Sequence, residues 1–371
     1  MTSDLIEFSI TDETYKKLLD LKNKTTSGNK NWDDFFNKIF PMISLDTKNN
    51  TELEKIMESY FYDNYYDMWV QNFALNLNDI WIESSAKKLA LDKISISKSK
   101  ISAIVIGLGP SIKEKKHLQL LADSTFDGVI ICTDGALINT LKSGVTPEKF
   151  PNFFVVTVDA AEIISSLYDD PIVDKYGKMI KGIFTTVSHP KTLQRARKAK
   201  IEIYWLHALF DYGDGKKSFN QISALMTRSK NHINGLPAIQ TGGNVGTSAW
   251  FIGWKILKCN LITLIGINHG WTENDPWEKI MSHGNSSSDV NLNKNDPNFE
   301  KLFPIIYNPD FDCKCILDPV FQYYSYALKD FISRSPDNVT TINATEGGSI
   351  FGPKIHSMKF KEFLDNEKFY K

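Results

Sequence analysis

Two glycine-rich segments of the chain have the composition of an anion-binding turn. GLGPS at 107–111 follows an apolar run, and TGGNVGTS at 241–248 leads directly into the apolar pattern AWFIGWKIL. Glycine lets the backbone approach a ligand closely, and a helix N-terminus presents free N–H groups and the positive end of a dipole. Both segments are therefore predicted to bind an anion, a phosphate at the first and a phosphate or a carboxylate at the second. The alternative is a tight turn that only packs a helix against a sheet.

Neither segment matches the common nucleotide motifs. The third glycine of the dinucleotide fingerprint is absent, since Pro110 and Ser111 follow Gly109. This departure disfavours an NAD or FAD dehydrogenase. The segment at 241–248 lacks the GK[ST] lysine, which disfavours a P-loop kinase or ATPase.

Carboxylates and imidazoles follow other apolar runs of the chain. Asp134 and Asp159 come after GVIICT and FFVVTV, where they could bind a ribose, a base or Mg²⁺, although Asp134 could instead cap the following helix. His189, His207 and His269 also follow such runs. Imidazole is a candidate general base or, when protonated, a phosphate ligand, yet a single histidine is more often structural. His189 is preferred to His207, which is expected to be packed.

The elements that must position these residues form an alternating pattern. From residue 101 onward, β-branched runs such as ISAIVIG, FFVVTVD and LITLIG are separated by helical stretches. Runs that are apolar at nearly every position are typical of a parallel sheet covered on both faces. The predicted fold is α/β, a Rossmann-like, doubly wound, mostly parallel sheet, whose ligands lie at the carboxyl ends of the strands. Residues 96–371 are assigned to this domain.

Residues 1–95 are predicted to be a helical N-terminal extension, with helices at 12–24 and 52–89. The aromatic face of the second helix is expected to dock on the following domain or on a second subunit, so a homo-oligomer stays open. At the other end of the domain, the low-complexity stretch 283–298 is predicted to be a mobile loop.

Composition limits the class of protein. The 371 residues include 43 Lys+Arg and 44 Asp+Glu, so a net charge of -1 provides no global basic field for nucleic acid. No apolar run approaches the roughly 18 residues of a membrane span. The four cysteines are expected to be reduced thiols, and the N-terminus lacks a signal-peptide pattern. A cytoplasmic location is predicted, with neither a nucleic-acid partner nor a membrane span.

The motifs GLGPS, TDGA, VDA, SHP, TGGNVGTSA, IGINHGW and NATEGGSIFG occur in this order between residues 101 and 352. Together they resemble the MptE-like family, which contains 6-hydroxymethyl-dihydropterin pyrophosphokinases and the motility-associated-factor glycosyltransferases and is similar to bacterial sialyltransferases. The resemblance implies a transferase that binds a nucleotide-activated donor at the two glycine-rich segments. In one respect the chain departs from the family, which often has Asp where this chain has Asn268.

Three functions follow from the resemblance and its alternatives. The TEGG motif and the N-terminal extension look more like the glycosyltransferase branch, which implies a CMP-linked, sialic-acid-like nonulosonate donor and an unknown acceptor. The pterin branch implies ATP and Mg²⁺, and no metal ligands are assigned. The remaining alternative is a non-catalytic nucleotide-binding protein.

The predicted donor-binding residues are Gly107, Gly109, Pro110, Ser111, Asp134, Gly135, Asp159, Thr241, Gly242, Gly243, Asn244, Gly246, Thr247 and Asn268, and the predicted catalytic residues are His269, His189 and Glu346.

Overall fold

A computed structural model describes residues 47–90, 101–209, 218–285 and 299–366, together with Lys16 and Leu19. The chain divides into two compact units, Met1–Glu52 and Leu53–Lys371. Lys16 and Leu19 are helical, and the rest of the helix predicted at 12–24 lies outside the described residues. The domain boundary predicted at 95/96 also lies outside them.

The larger unit is built on a ten-stranded sheet in which every described pairing is parallel. Its strands are β1 (Ser84–Ser85), β2 (Ser102–Ile106), β3 (Val129–Thr133), β4 (Phe153–Thr157), β5 (Lys181–Thr185), β6 (Glu202–Leu209), β7 (Ala238–Gln240), β8 (Leu261–Ile265), β11 (Thr340–Asn343) and β12 (Ile355–Ser357). The order is β1-β6-β5-β4-β3-β2-β8-β11-β12, and β7 pairs with β6. The predicted doubly wound α/β sheet is confirmed.

The continuous apolar runs arise because both faces of the sheet are buried. In β2, Ile104 and Ile106 belong to one hydrophobic core, whereas Ala103 and Val105 belong to the core on the other face. All five residues of this strand are buried. Alternate side chains of one strand thus stabilise two separate helix layers.

Twelve α-helices have defined bounds, and they connect or flank these strands together with three short 3₁₀-helices. They are α1 (Thr47–Ile82), α2 (Ser111–Glu114), α3 (His117–Asp123), α4 (Asp134–Lys142), α5 (Pro171–Tyr176), α6 (Pro190–Lys198), α7 (Phe219–Met226), α8 (Val245–Lys255), α9 (Trp277–Asn285), α10 (Phe299–Leu302), α11 (Pro319–Ser333) and α12 (Phe360–Asp365). None of the helices in the described ranges is long and apolar enough to cross a membrane.

Helix α1 packs on the sheet domain, which is the first of the two predicted docking alternatives. Phe73 and Ile80 are fully buried in the core. The helix ends earlier than predicted, at Ile82, because the next residues form β1 beside β6. Glu83 at this junction accepts hydrogen bonds from Arg197 and from the indole of Trp205.

A small separate layer follows β8. It contains α9, α10 and an antiparallel pair, β9 (Ile305–Asn308) and β10 (Cys313–Ile316), around the buried residues Ile280, Phe303 and Ile316. The prediction of a mobile loop at 283–298 is wrong for residues 283–285, which form the end of α9. Residues 286–298 lie outside the described part of the chain. All four cysteines are described and none forms a disulfide.

Candidate functional site

The candidate site lies where the strand order reverses. After β2 the chain builds β3 to β6 on one side, and β8 and β11 then form the other side. At such a switch point the loops at the carboxyl ends of the two central strands leave a crevice for a ligand. Here these loops are residues 107–111 and 266–270.

Three of the predicted motifs meet at this point. The amide of Gly109 donates to the carbonyl oxygen of Gly266 at 2.8 Å. A Cβ atom at Gly109 would lie 2.2 Å from Asn268 Oδ1, and one at Gly348 would lie 2.1 Å from the Asn268 carbonyl oxygen. Only glycine fits at Gly109 and Gly348, since any side chain would overlap the loop that follows β8.

Asn268 connects the three loops. Its Oδ1 accepts a hydrogen bond from Ser111 Oγ at 3.1 Å, and its carbonyl oxygen accepts one from the amide of Ser349 at 2.9 Å. Among the described residues, no acceptor is bonded to the Asn268 amide nitrogen. This half-buried side chain is therefore oriented and still has N–H groups to donate to a ligand.

The helix predicted after the first glycine segment is broken. Helix α2 is a single turn, and Lys116 adopts a left-handed conformation (φ 55°) before α3 begins at His117. One turn sums few peptide dipoles. Close backbone approach at Gly107 and Gly109, rather than a helix dipole, is what this segment offers a ligand.

The second glycine segment forms a turn at the start of α8. Asn244 is the N-cap, and its Oδ1 accepts from the amide of Thr247 at 2.8 Å. Gly242 and Gly243 have positive φ angles of 59° and 78°, and the amide of Gly243 donates to Thr241 Oγ1. These internal hydrogen bonds occupy some of the backbone N–H groups that were predicted to bind an anion.

The donors that remain in this turn are at the first two helical positions. The N–H groups of Val245 and Gly246 have no intrahelical partner because of their place in the helix. A Cβ atom at Gly246 would lie 2.7 Å from Ile267 Cδ1 and 4.0 Å from His269 Nε2. The second turn thus packs against the loop after β8. A Cβ atom at Gly243, by contrast, would lie 2.5 Å from the ring of Tyr323 and 2.8 Å from the ring of Tyr324. These rings cover that side of the turn.

Asp134 is a buried carboxylate at the end of β3. Its Oδ1 accepts from the Gly135 amide at 2.7 Å, and its Oδ2 accepts from Thr157 Oγ1 at 2.9 Å. Desolvation raises the pKa of Asp134 to about 6, and the charge of Asp159 adds to the shift. Thr133, and not Asp134, is the N-cap of α4. The capping alternative is wrong, and the perturbed carboxyl group is typical of a functional site.

Asp159 follows the neighbouring strand β4 and is exposed. Its Oδ1 accepts a hydrogen bond from the amide of Ala161 at 2.8 Å. Among the described residues, no cluster of three or more His, Cys, Asp or Glu side chains could hold a metal ion. The charge of Asp159 acts on the pKa of Asp134, so the two carboxylates lie within electrostatic range of each other, and Mg²⁺ uses one or two carboxylates when substrate phosphates supply further ligands.

His269 is buried beside the site. Its ring centroid lies 5.8 Å from that of Tyr324, and its Nδ1 has no hydrogen-bond partner among the described residues. Desolvation, reinforced by the charge of Lys329, lowers the pKa of His269 to about 3. A base with so low a pKa is weak at neutral pH. The catalytic role of His269 stays a prediction, and its burial disfavours proton abstraction.

The other predicted catalytic side chains have structural contacts. His189 is the N-cap of α6, where its Nδ1 accepts from the Lys191 amide at 3.2 Å. Glu346 Oε1 lies 3.3 Å from His117 Nε2 and accepts from the Phe360 amide. Glu346 follows β11, at the strand end where a ligand-binding role was predicted. Its two contacts instead orient the loop in which it lies. As expected, His207 is packed in the interior.

Sequence reasoning missed two features of the site. On α1, the amide of Asn72 donates to the carbonyl oxygens of Ala160 and Val187, and that of Asn76 donates to those of Thr186 and Ser188. These buried amides fix the loops after β4 and β5. The only sequence signal is a pair of asparagines four residues apart within an apolar helix.

The second missed feature is a histidine–carboxylate pair. His283 Nδ1 lies 2.6 Å from Asp318 Oδ2, which also accepts from the indole of Trp271 at 2.7 Å. Asp318 precedes Pro319 and therefore reads as a helix N-cap. Nothing in the sequence connects it to a histidine 35 residues earlier.

The fold and this crevice define a doubly wound α/β protein with a ligand site at the switch point of its sheet. The chain belongs to the MptE-like family, whose model, described as 6-hydroxymethylpterin diphosphokinase MptE-like, matches residues 71–274. Membership supports a transferase. No curated protein matches the chain.

A solved structure of a Maf glycosyltransferase from Magnetospirillum magneticum AMB-1 is similar, with a TM-score of 0.47 and 14% sequence identity. The similarity covers 71% of this chain and 35% of that one. The chain thus spans about a third of the length of that protein.

Proposed function

We propose that the protein is a glycosyltransferase of the motility-associated-factor type that takes a CMP-linked nonulosonate donor at the switch point. The observation that supports this most is the contact of Gly109, Asn268 and Gly348. It joins the TEGGS loop, the motif that looks more like the glycosyltransferase branch, to the first glycine segment. The donor's phosphate would lie against backbone and amide groups of these loops.

The chemistry follows from the donors at the site. The N–H groups of Val245 and Gly246 and the amide of Asn268 bind the donor phosphate and stabilise the negative charge that develops on the leaving CMP. Preorganised donors of this kind act strongly where water is excluded. The acceptor hydroxyl attacks the anomeric carbon directly, without a covalent enzyme intermediate.

Thermal denaturation with CMP, CDP, UDP and ATP, each with and without Mg²⁺, tests the proposal. A ligand at a hundred times its dissociation constant stabilises the native state by about 2.7 kcal/mol. CMP should raise the melting temperature most. A larger, Mg²⁺-dependent shift with ATP would contradict the glycosyltransferase assignment.

Two glycine variants locate the site. Gly109→Ala should abolish the CMP shift, because its Cβ atom would lie 2.7 Å from the Gly266 carbonyl oxygen as well as against Asn268. Gly144→Ala is the matched control, since it strains a turn with φ 87° but meets Ala122 Cβ only at 3.5 Å. It should lower the melting temperature and keep the CMP shift.

The second candidate function is a 6-hydroxymethyl-dihydropterin diphosphokinase, which the pair of Asp134 and Asp159 favours. These two carboxylates would hold Mg²⁺ together with phosphate oxygens of ATP. The ion would neutralise charge on the transferred diphosphate. Turnover of ATP with the hydroxymethylpterin, lost in Asp134→Asn, would establish this function in place of the first.

A further inference from the structure

One face of helix α11 lies against the loops of the candidate site. Phe321, Ser325 and Lys329 share this face, because they follow one another at intervals of four residues. The Phe321 ring centroid lies 6.3 Å from that of His269, and Ser325 Oγ lies 3.5 Å from the Ser349 carbonyl oxygen. Lys329 Nζ donates a hydrogen bond to the same carbonyl oxygen at 3.1 Å. This face therefore places an ammonium group beside the TEGGS loop.

The Lys329 ammonium has no anionic partner within the described ranges. It forms no ion pair with a described Asp or Glu side chain, and two of its three N–H groups are left without an acceptor there. The side chain is half-buried, and Nζ lies 5.1 Å from the ring centroid of Phe351. Burial lowers the pKa of Lys329 to about 8. A cation withdrawn from water in this way is normally compensated by an opposite charge.

We propose that Lys329 binds an oxyanion of the donor, either its phosphate or the carboxylate of the nonulosonate. The inference rests on the transferase function proposed above. An ammonium binds both kinds of oxyanion as a point charge, through charge-assisted hydrogen bonds. Lys329 thus supplies the positive charge that the backbone and amide donors of this site lack.

The contacts of Lys329 place it at the crevice. The residue whose carbonyl oxygen it binds, Ser349, donates its own amide to the Asn268 carbonyl oxygen at 2.9 Å. Burial lowers the pKa of His269, the next residue of that loop, and the charge of Lys329 adds to the shift. The ammonium is therefore within electrostatic range of the loop that carries the Asn268 amide.

The protonation of Lys329 gives its role a pH signature. The titratable groups that act on the ammonium are His269, from the loop after β8, and the Cys315 thiol of β10. Burial lowers the pKa of His269 to about 3 and raises that of Cys315 to about 12, so both are neutral near pH 8. A bound oxyanion stabilises the ammonium and raises the pKa of Lys329. Its contribution to binding is therefore complete below pH 8 and is lost as the pH rises above that value.

Calorimetric titration of Lys329→Met with CMP, N-acetylneuraminic acid and ATP tests the inference. Methionine keeps an unbranched side chain of similar length and removes the charge and the donors. The dissociation constant of CMP should rise about 10- to 100-fold if Lys329 binds the phosphate. A rise for the free sugar acid, with CMP unchanged, would assign Lys329 to the carboxylate.

Lys87→Met is the matched control. The ammonium of this exposed lysine also donates to a carbonyl oxygen at 3.1 Å, that of Gly235, but it follows the edge strand β1. Its loss should leave the affinity for every probe unchanged.

The pH dependence of the parent needs no variant and keeps the inference testable if Lys329→Met folds poorly. A phosphate monoester has its second pKa near about 6, so the charge of CMP is constant above pH 7. The dissociation constant of the parent should rise by up to about tenfold per pH unit above pH 8. That of Lys329→Met should stay constant, which a structural role for Lys329 would not produce.

The inference and the proposed function can fail separately. Parental affinity for all three probes in folded Lys329→Met, or a parental affinity that is constant from pH 7 to pH 9, overturns the inference and leaves the function standing. If the parent binds ATP but not CMP, the glycosyltransferase assignment fails, and a loss of ATP affinity in Lys329→Met still supports the inference. If the parent binds none of the probes, both fail.

Discussion

The buried carboxylate of Asp134 should reduce the stability of the protein at neutral pH. Its pKa is raised from 3.8 to about 6 in the folded state. Between these values the unfolded chain has released the proton and the folded chain still holds it, so the free energy of unfolding falls as the pH rises. One pKa unit corresponds to about 1.4 kcal/mol, so above pH 6 the full cost is about 3 kcal/mol.

Asp134→Asn should therefore stabilise the protein at pH 7.5. The asparagine Oδ1 can still accept from the Gly135 amide, and its N–H₂ group can donate to Thr157 Oγ1, because the threonine hydroxyl is also 2.8 Å from Tyr168 OH. A gain of up to about 3 kcal/mol, at about 2.1 cal/mol/K of unfolding entropy per residue, corresponds to a rise of about 4 °C in Tm. Turnover of ATP with the hydroxymethylpterin should be lost in the same variant if the second candidate function holds.

Urea unfolding and calorimetry at pH 7.5 and pH 4 measure the effect. Near pH 4 most of the difference should disappear, because Asp134 stays protonated in the folded state and is only about half ionised in the unfolded chain. Asp337→Asn is the matched control, since that carboxylate is exposed and its removal should not stabilise the fold. If Asp134→Asn is less stable than the parent at both pH values, the buried carboxylate is well compensated and the reasoning is refuted.

Three further variants test other parts of the structure. Asn268→Asp should keep the bond from Ser111 but weaken CMP binding about tenfold or more in calorimetric titration, because it places a negative charge beside the donor phosphate. Asn72→Ala should lower the unfolding free energy by about 2 kcal/mol in urea, because it leaves two buried carbonyl groups without a donor, whereas the exposed Asn78→Ala on the same helix should have little effect. The pKa of His269 is lowered to about 3, so the contribution of His269 to parental stability should fall by about 1.4 kcal/mol per pH unit as the pH drops from 6.5 towards 3, opposite in sign to the contribution of Asp134. His269→Phe should remove that one-proton dependence, and an unchanged slope would contradict the assignment.

The sequence by itself determines the layers of this fold and the edge that carries the chemistry. Apolar runs such as VIICT can be buried on both faces only in a covered parallel sheet. The pattern is local, so the sequence alone predicts these strands. Polar residues after successive runs then lie at one edge, whatever the order of the strands. For this reason Gly109, Asp134 and Asn268 could be predicted as site residues without knowledge of the topology.

Only the tertiary structure decides which of those residues meet. Asn268 contacts Ser111 across 157 positions of the chain because β8 lies beside β2, and strand order depends on long-range packing that no local pattern encodes. The same holds for His283 and Asp318, which are joined by the packing of α9 on α11. Burial is likewise a property of the whole fold, so the histidine that stands at the best strand end, His269, is enclosed and neutral. The imidazole with a buried carboxylate partner comes instead from a segment whose composition predicted only a loop.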